Sequence, residues 1–222
     1  HYDRIFPFFE KEKPDVMCLQ EVREADLDLL MARCGSRDFV YAPTYYHHSD
    51  NFTSPLGVAI LSRWPISARI VQYYHGVQDV IPQERFPEKE GNCALIALDV
   101  AKEGETLRIA TTHFTWTPDG EPSDEQRRHM AALLSVLTPF PELILCGDFN
   151  APRGGEIWGA LAARYQDNIP KEYHSSLDPR LHQLKGAKEL VVDGLWSTPH
   201  YRVSAVRLVE GVSDHKAVVG FV

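Results

Sequence analysis

The chain is most constrained by a series of short apolar runs, each cut off by polar or turn-forming residues. Residues 16–19, 57–61, 93–100, 107–112, 143–146, 190–192, 203–209 and 217–222 read as strands. None approaches the ~20 apolar residues of a membrane-spanning helix. Helical patterns lie between them. Ile5, Phe8 and Phe9 fall at helical spacing before Pro14. Ser123 and Gln126 match an N-terminal capping pair, and Met130, Leu133, Leu134 and Leu137 then trace one apolar face until Pro139 stops it. Ile157, Trp158 and Leu161 suggest a further helix. Such a mixture predicts an α/β or α+β domain, with hairpin-length connections and helices covering the faces of the sheets.

With 222 residues, 44% of them hydrophobic, the chain can bury a sizeable core. No repeat, low-complexity tract or linker divides it, so residues 1–222 read as one domain and, with its site in one chain, as a monomer. The formal net charge of -8 argues against an indiscriminate nucleic-acid coat protein. Carboxylates that bind a divalent cation reverse the sign locally, so short-range recognition of phosphate survives. Cys18, Cys34, Cys93 and Cys146 show no paired metal-knuckle spacing. They are expected to be free thiols, which suits a reducing, cytoplasmic setting.

Acidic and imidazole groups fall where the strands end. Gln20-Glu21, His113, Asp148 with Asn150, and Asp193 each follow an apolar run, and Ser213-Asp214-His215 precedes the last one. Strand ends on a rigid sheet hold a reacting constellation well, because ladder hydrogen bonds fix the backbone there. Glu, Asp and Asn side chains are hard oxygen donors, suited to Mg²⁺ or Mn²⁺ rather than to zinc. Imidazoles beside such a cation match the needs of phosphate-ester hydrolysis: a group to orient or deprotonate water, and donors for the charge developing on phosphoryl oxygens. Taken singly, each residue has an ordinary use as a turn, cap or surface group.

Leu19-Gln20-Glu21, Thr112-His113-Phe114, Gly147-Asp148-Phe149-Asn150, Val192-Asp193 and Ser213-Asp214-His215 occur in an order that resembles the endonuclease/exonuclease/phosphatase superfamily. That group takes in pancreatic DNase, exonuclease III-type apurinic endonucleases and neutral sphingomyelinases. The resemblance implies a four-layer sandwich of two packed, mostly antiparallel sheets flanked by helices. It implies a Mg²⁺- or Mn²⁺-dependent phosphoesterase of phosphodiesterase or nuclease type, and, as the alternative, a catalytically silent relative that binds a phosphate ligand. Glu21 and Asp214 resemble the metal ligands. Asp148 resembles the group that positions or deprotonates water, and Asn150 the group that orients nucleophile and phosphate. His215 resembles the phosphate-binding imidazole, oriented by Asp193, and His113 a further phosphate contact. Relatives begin with a strand ending in Asn, and His1 falls where the following helix would start, so a first strand upstream of residue 1 is expected.

The resemblance implies a phosphate-ester substrate, with nucleic acid as one class. Residues 41–52 form an aromatic-rich stretch between strands that would stack on a base or cover the core edge. Trp116 and Trp196 are candidates for the cleft rim, while Trp158 reads as a packing residue. Arg127, Arg128, Lys185 and Lys188 would meet phosphates or form a solvated face.

Overall fold

A computed structural model describes residues 2–47, 53–83, 91–118, 120–182 and 189–222. The chain runs α1 (Tyr2–Glu12), β1 (Val16–Arg23), a 3-10 turn (Glu24–Asp26), α2 (Leu27–Cys34), β2 (Asp38–Tyr46), β3 (Pro55–Ser62), β4 (Ile66–His75) and β5 (Cys93–Lys102). It continues with β6 (Glu105–His113), α3 (Asp124–Leu137), β7 (Ile144–Asp148), α4 (Glu156–Ala162), β8 (Gln166–Asp167), β9 (Asp193–Ser197), β10 (Ser204–Val209) and β11 (Ala217–Phe221).

Three sheets result, ordered β1-β3-β2, β4-β5-β6-β7-β9-β8 and β10-β11. All pairings are antiparallel except β6 with β7, whose connection carries α3, as a parallel crossover requires. The period of two along each strand sorts side chains into layers. In β3, Val58 and Ile60 face Ala94, Ile96, Leu98 and Val100 of β5, forming the core between the sheets. Ala59 and Leu61 face the other way, onto Phe6 and Phe9 of α1 and Leu27 and Leu30 of α2. Leu95 and Ala97 of β5 likewise turn outward, onto Met130, Leu133 and Leu137 of α3. The order is therefore helices, sheet, sheet, helices: the expected four-layer sandwich.

The capping pair is present in half. Ser123 Oγ accepts from Gln126 N at 3.0 Å, but the Gln126 amide donates to the Thr115 and Asn150 carbonyls instead of returning to its own helix. Other expectations need correction. Residues 190–192 are not a strand. β9 begins at Asp193, because its start, not its end, pairs with the end of antiparallel β7. Residues 41–46 belong to β2 and pair with β3, so only the remainder of the expected aromatic loop lies between strands, and residues 48–52 are outside the described residues. Trp196 is fully buried against Phe149 and Trp158 and lines no rim, whereas Trp116 is 40% exposed. Arg127 pairs with Glu156 and Asp124, a solvated ion network. Lys185 and Lys188 lie outside the described residues. α2, β2, β4 and β8 were not expected, although Leu27, Leu30, Met31 and Cys34 of α2 stand at helical spacing on one packed face.

Candidate active site

Sheet register delivers the site. His113 and Asp148 are the last residues of parallel β6 and β7 and pair directly, and Asp148 also pairs with Asp193 at the start of β9. The middle strand passes this point as Gly147, where a Cβ would lie 2.2 Å from the Thr112 carbonyl oxygen. Glycine is required for the two backbones to approach. Gly194 is as tightly held: a Cβ there would lie 2.3 Å from Trp196 Nε1 and 2.7 Å from the Phe149 ring. Close packing beneath the site thus fixes the backbone that carries both carboxylates.

The side chains converge. His215 Nδ1 is 2.8 Å from Asp193 Oδ2, and its Nε2 is 4.0 Å from Asp148 Oδ2. His113 Nε2 approaches the same Asp148 oxygen at 3.6 Å. The other Asp148 oxygen accepts from Asn150 N at 2.8 Å, and Asn150 Nδ2 donates to the Phe114 carbonyl at 2.9 Å. Asn150 has φ 48°, a left-handed conformation that Asn tolerates better than most residues.

Charge follows from burial. Asp148 and Asp193 are both almost fully buried. Burial pushes the Asp148 carboxyl up, Asp193 adds to the rise, and His215 and His113 oppose it, leaving it at about 6. Burial alone would lower His215, but Asp193, Asp148 and Asp214 outweigh it and lift the imidazole to about 10. At neutral pH His215 is a cation held between carboxylates.

Glu21 sits in a bulge of β1, where register with β3 shifts between Leu19 and Val22 and φ is 55°. Such bulges re-aim a side chain. Its carboxylate accepts from Tyr45 Oη at 3.0 Å. Asp214 lies with His215 and His182, their ligating atoms all within 4.8 Å of one another. All seven expected residues are among those lining one extended cleft of about 2480 Å³, which also runs along α1, β1 and β11. Glu21 lies on the three-stranded sheet, His113, Asp148 and Asp193 on the six-stranded one, and Asp214 and His215 on the loop before β11.

The residues fit a hard divalent cation. Three carboxylates, Glu21, Asp148 and Asp214, line the cleft, and buried Asp148 carries negative charge that neighbouring imidazoles only partly offset. A divalent cation would supply that compensation.

Sequence reasoning missed the residues that hold this arrangement. Ser176 is fully buried, and its Oγ accepts from the backbone N–H groups of Val192 and Asp193 at 2.9 and 3.1 Å. Asp178, also fully buried, accepts from Gly211 N at 2.6 Å, while its own N–H donates to the Asp214 carbonyl at 2.8 Å. Leu177 between them forms a bridge with His215. The segment therefore ties Asp193 to the Asp214-His215 loop. It has neither apolar period nor motif, so no local signal marked it. His182 was missed for the same reason.

Residues 1–215 match the sequence pattern of the Endonuclease/Exonuclease/phosphatase family. Among solved structures, the chain is similar to a protein of that family from Bacteroides thetaiotaomicron, with a TM-score of 0.72 and 13% identity over 97% of this chain and 87% of the other. A mannosyl-6-phosphatase from the same organism gives a TM-score of 0.71 and 14% identity over 98% of this chain and 88% of that one. The catalytic domain of human Nocturnin gives 0.65 and 18%, covering 99% and 87%. At these identities the likeness establishes the fold. No curated protein sequence matches. With its pattern matched almost from end to end and its fold shared by these structures, the chain belongs to the endonuclease/exonuclease/phosphatase family, whose members hydrolyse phosphate esters and generally depend on a divalent metal.

Proposed function

We propose that the chain is a phosphoesterase of phosphodiesterase or nuclease type that works with Mg²⁺ or Mn²⁺. The observation that carries this reading is the approach of two imidazoles to one oxygen of a buried carboxylate, His113 at 3.6 Å and His215 at 4.0 Å from Asp148 Oδ2. Glu21 and Asp214 would hold the cation, which when bound neutralises phosphate charge and polarises a phosphoryl oxygen.

The chain's own residues account for the remaining steps. Asp148, with its carboxyl near 6, is an anion at neutral pH and basic enough to accept a proton from an attacking water. His215 presents a charged Nε2–H to the phosphoryl oxygens, because Asp193 holds the opposite ring nitrogen. His113 donates to the same group. Asn150, with its amide nitrogen committed to Phe114, offers its oxygen to orient water and substrate.

The substrate contains a phosphate ester, with nucleic acid among its classes. All seven residues come from one chain, so the reading needs no second subunit. Four unpaired cysteines suit a reducing, cytoplasmic setting. No described helix is long and apolar enough to cross a membrane. A strand ahead of His1 also belongs to this reading: β1 and β11 are edge strands whose residues line the same cleft, and an added strand would satisfy their backbone groups.

The test is hydrolysis of bis-p-nitrophenyl phosphate and single-stranded DNA by metal-stripped protein with Mg²⁺ or Mn²⁺ restored. Turnover should appear with the metal, disappear with chelator, and be abolished by Asp148→Asn without change in circular dichroism. A near-full rate in Asp148→Asn overturns the assigned role. Phosphate binding without turnover under any metal would make the cleft a binding module.

A further inference from the structure

A second group of ligating side chains lies at the same end of the six-stranded sheet. His75 is the last residue of β4, and Glu125 and His129 are one turn apart on α3, which packs over that strand. Their ligating atoms all lie within 4.8 Å of one another. His129 Nε2 is 4.0 Å from Glu125 Oε1, and the two imidazole rings stand 4.0 Å apart between centroids.

Two features distinguish this group from a chance surface cluster. His129 is buried, and its Nδ1 lies 2.6 Å from Thr115 Oγ1, which is itself 3.5 Å from Cys93 Sγ. In the tautomer in which Nδ1–H donates to the threonine, Nε2, 4.0 Å from Glu125 Oε1, keeps its lone pair for a ligand. A fixed outer hydrogen bond of this kind orients imidazoles that bind metals. The main chain is equally fixed, because Thr115 O accepts from the Gln126 amide at 2.6 Å. That bond ties the strand-end loop to the helix bearing two of the three groups.

The group is separate from the site around Asp148. His75 pairs with Cys93 at the start of β5, Leu95 with Thr112 near the end of β6, and His113 with Asp148 at the end of β7. Three strand spacings of ~4.8 Å put the two centres on the order of 14 Å apart. Both nevertheless line the same cleft. Imidazoles are present in both, beside two buried carboxylates around Asp148 and beside the single carboxylate of Glu125 here.

We propose that His75, Glu125 and His129 form a second cation site, for Zn²⁺ or another divalent ion that favours nitrogen ligands, with its fourth position open to the cleft. Two imidazoles and a carboxylate in three positions are a set that zinc accepts and magnesium does not favour. The ion would link α3 to the end of β4.

The test titrates Co²⁺, then Zn²⁺, into metal-stripped protein held in excess Mg²⁺, reading the visible absorption of cobalt and the melting temperature. One Co²⁺ per chain should give a four- or five-coordinate spectrum that Zn²⁺ displaces, and Zn²⁺ should raise the melting temperature. His75→Ala and His129→Ala should each abolish the spectrum, and Thr115→Val should weaken binding by ~10–100-fold. Half-buried His75 is the safer variant for folding, checked by circular dichroism. Absence of a spectrum in the wild type overturns the proposal. So does a spectrum that survives His75→Ala but is lost in His215→Ala, which would assign the ion to the His182, Asp214 and His215 group.

Discussion

In the proposed mechanism Asp193 acts through another residue. Its carboxylate grips His215 Nδ1 at 2.8 Å, and its backbone N–H is held by Ser176. Replacement by Ala leaves the imidazole free to rotate and removes its closest negative neighbour. Asp193→Ala should therefore lower kcat by ~10²-fold or more with KM little changed, and steady-state kinetics against pH should show loss of the imidazolium at a lower pH than in the wild type. A fall in KM-dependent binding alone would contradict this positioning role. Asp178 offers a stability prediction. Burial by itself would raise its carboxyl, but the N–H groups of Gly211, Arg180 and Leu181 outweigh burial and hold it below 3.8. Because the folded value is depressed, its contribution is present above 3.8 and is lost as pH falls through the folded value. Asp178→Asn should cost ~1–3 kcal/mol at neutral pH. In urea denaturation the gap from wild type should narrow as pH is taken below 3.8; a gap independent of pH would show that the charge is not what matters.

At the scale of the element, the decisive contact is between β6 and β7. Parallel pairing brings His113 opposite Asp148 only because Gly147 lets the backbones meet. Gly147→Ala should destabilise by more than ~1 kcal/mol, since its Cβ would press on a carbonyl that cannot move aside, and activity should fall with it. Gly159 in α4 is the contrast, because a Cβ there meets nothing within 4 Å. Gly159→Ala should stabilise by ~0.5–1 kcal/mol. Thermal or urea denaturation of the two variants checks both signs, and equal signs would mean that helix or strand context, not the close approach, sets the cost. Elements with a clean period were legible before folding: β3, β5 and β6 as apolar runs, α3 by its cap and apolar face. β2 and β4 were not, because polar and aromatic residues interrupt them and leave no continuous apolar run, and no residue of β4 is fully buried. β9 was shifted by three residues, since its strand is Asp-Gly-Leu-Trp-Ser and the more apolar triplet before it is buried irregular chain.

Across the whole molecule, the site exists because two sheets face each other and open at one end. Glu21 enters from the three-stranded sheet, while His113, Asp148 and Asp193 enter from the six-stranded one. The sequence by itself determined which side chains are chemically suited to phosphate, and that His113 and Asp148 would fall at strand ends, because residue type and period two are local properties; Glu21 instead sits in a bulge within β1 and Asp193 opens β9. Only the tertiary structure decided which of them meet. Register put Asp148 opposite both His113 and Asp193, and burial raised the Asp148 carboxyl. Buried Ser176 and Asp178, unremarkable in sequence, fastened His215 to Asp193 through backbone hydrogen bonds. Those outcomes depend on contacts between residues far apart in the chain, and such contacts leave no periodic trace in the sequence that makes them.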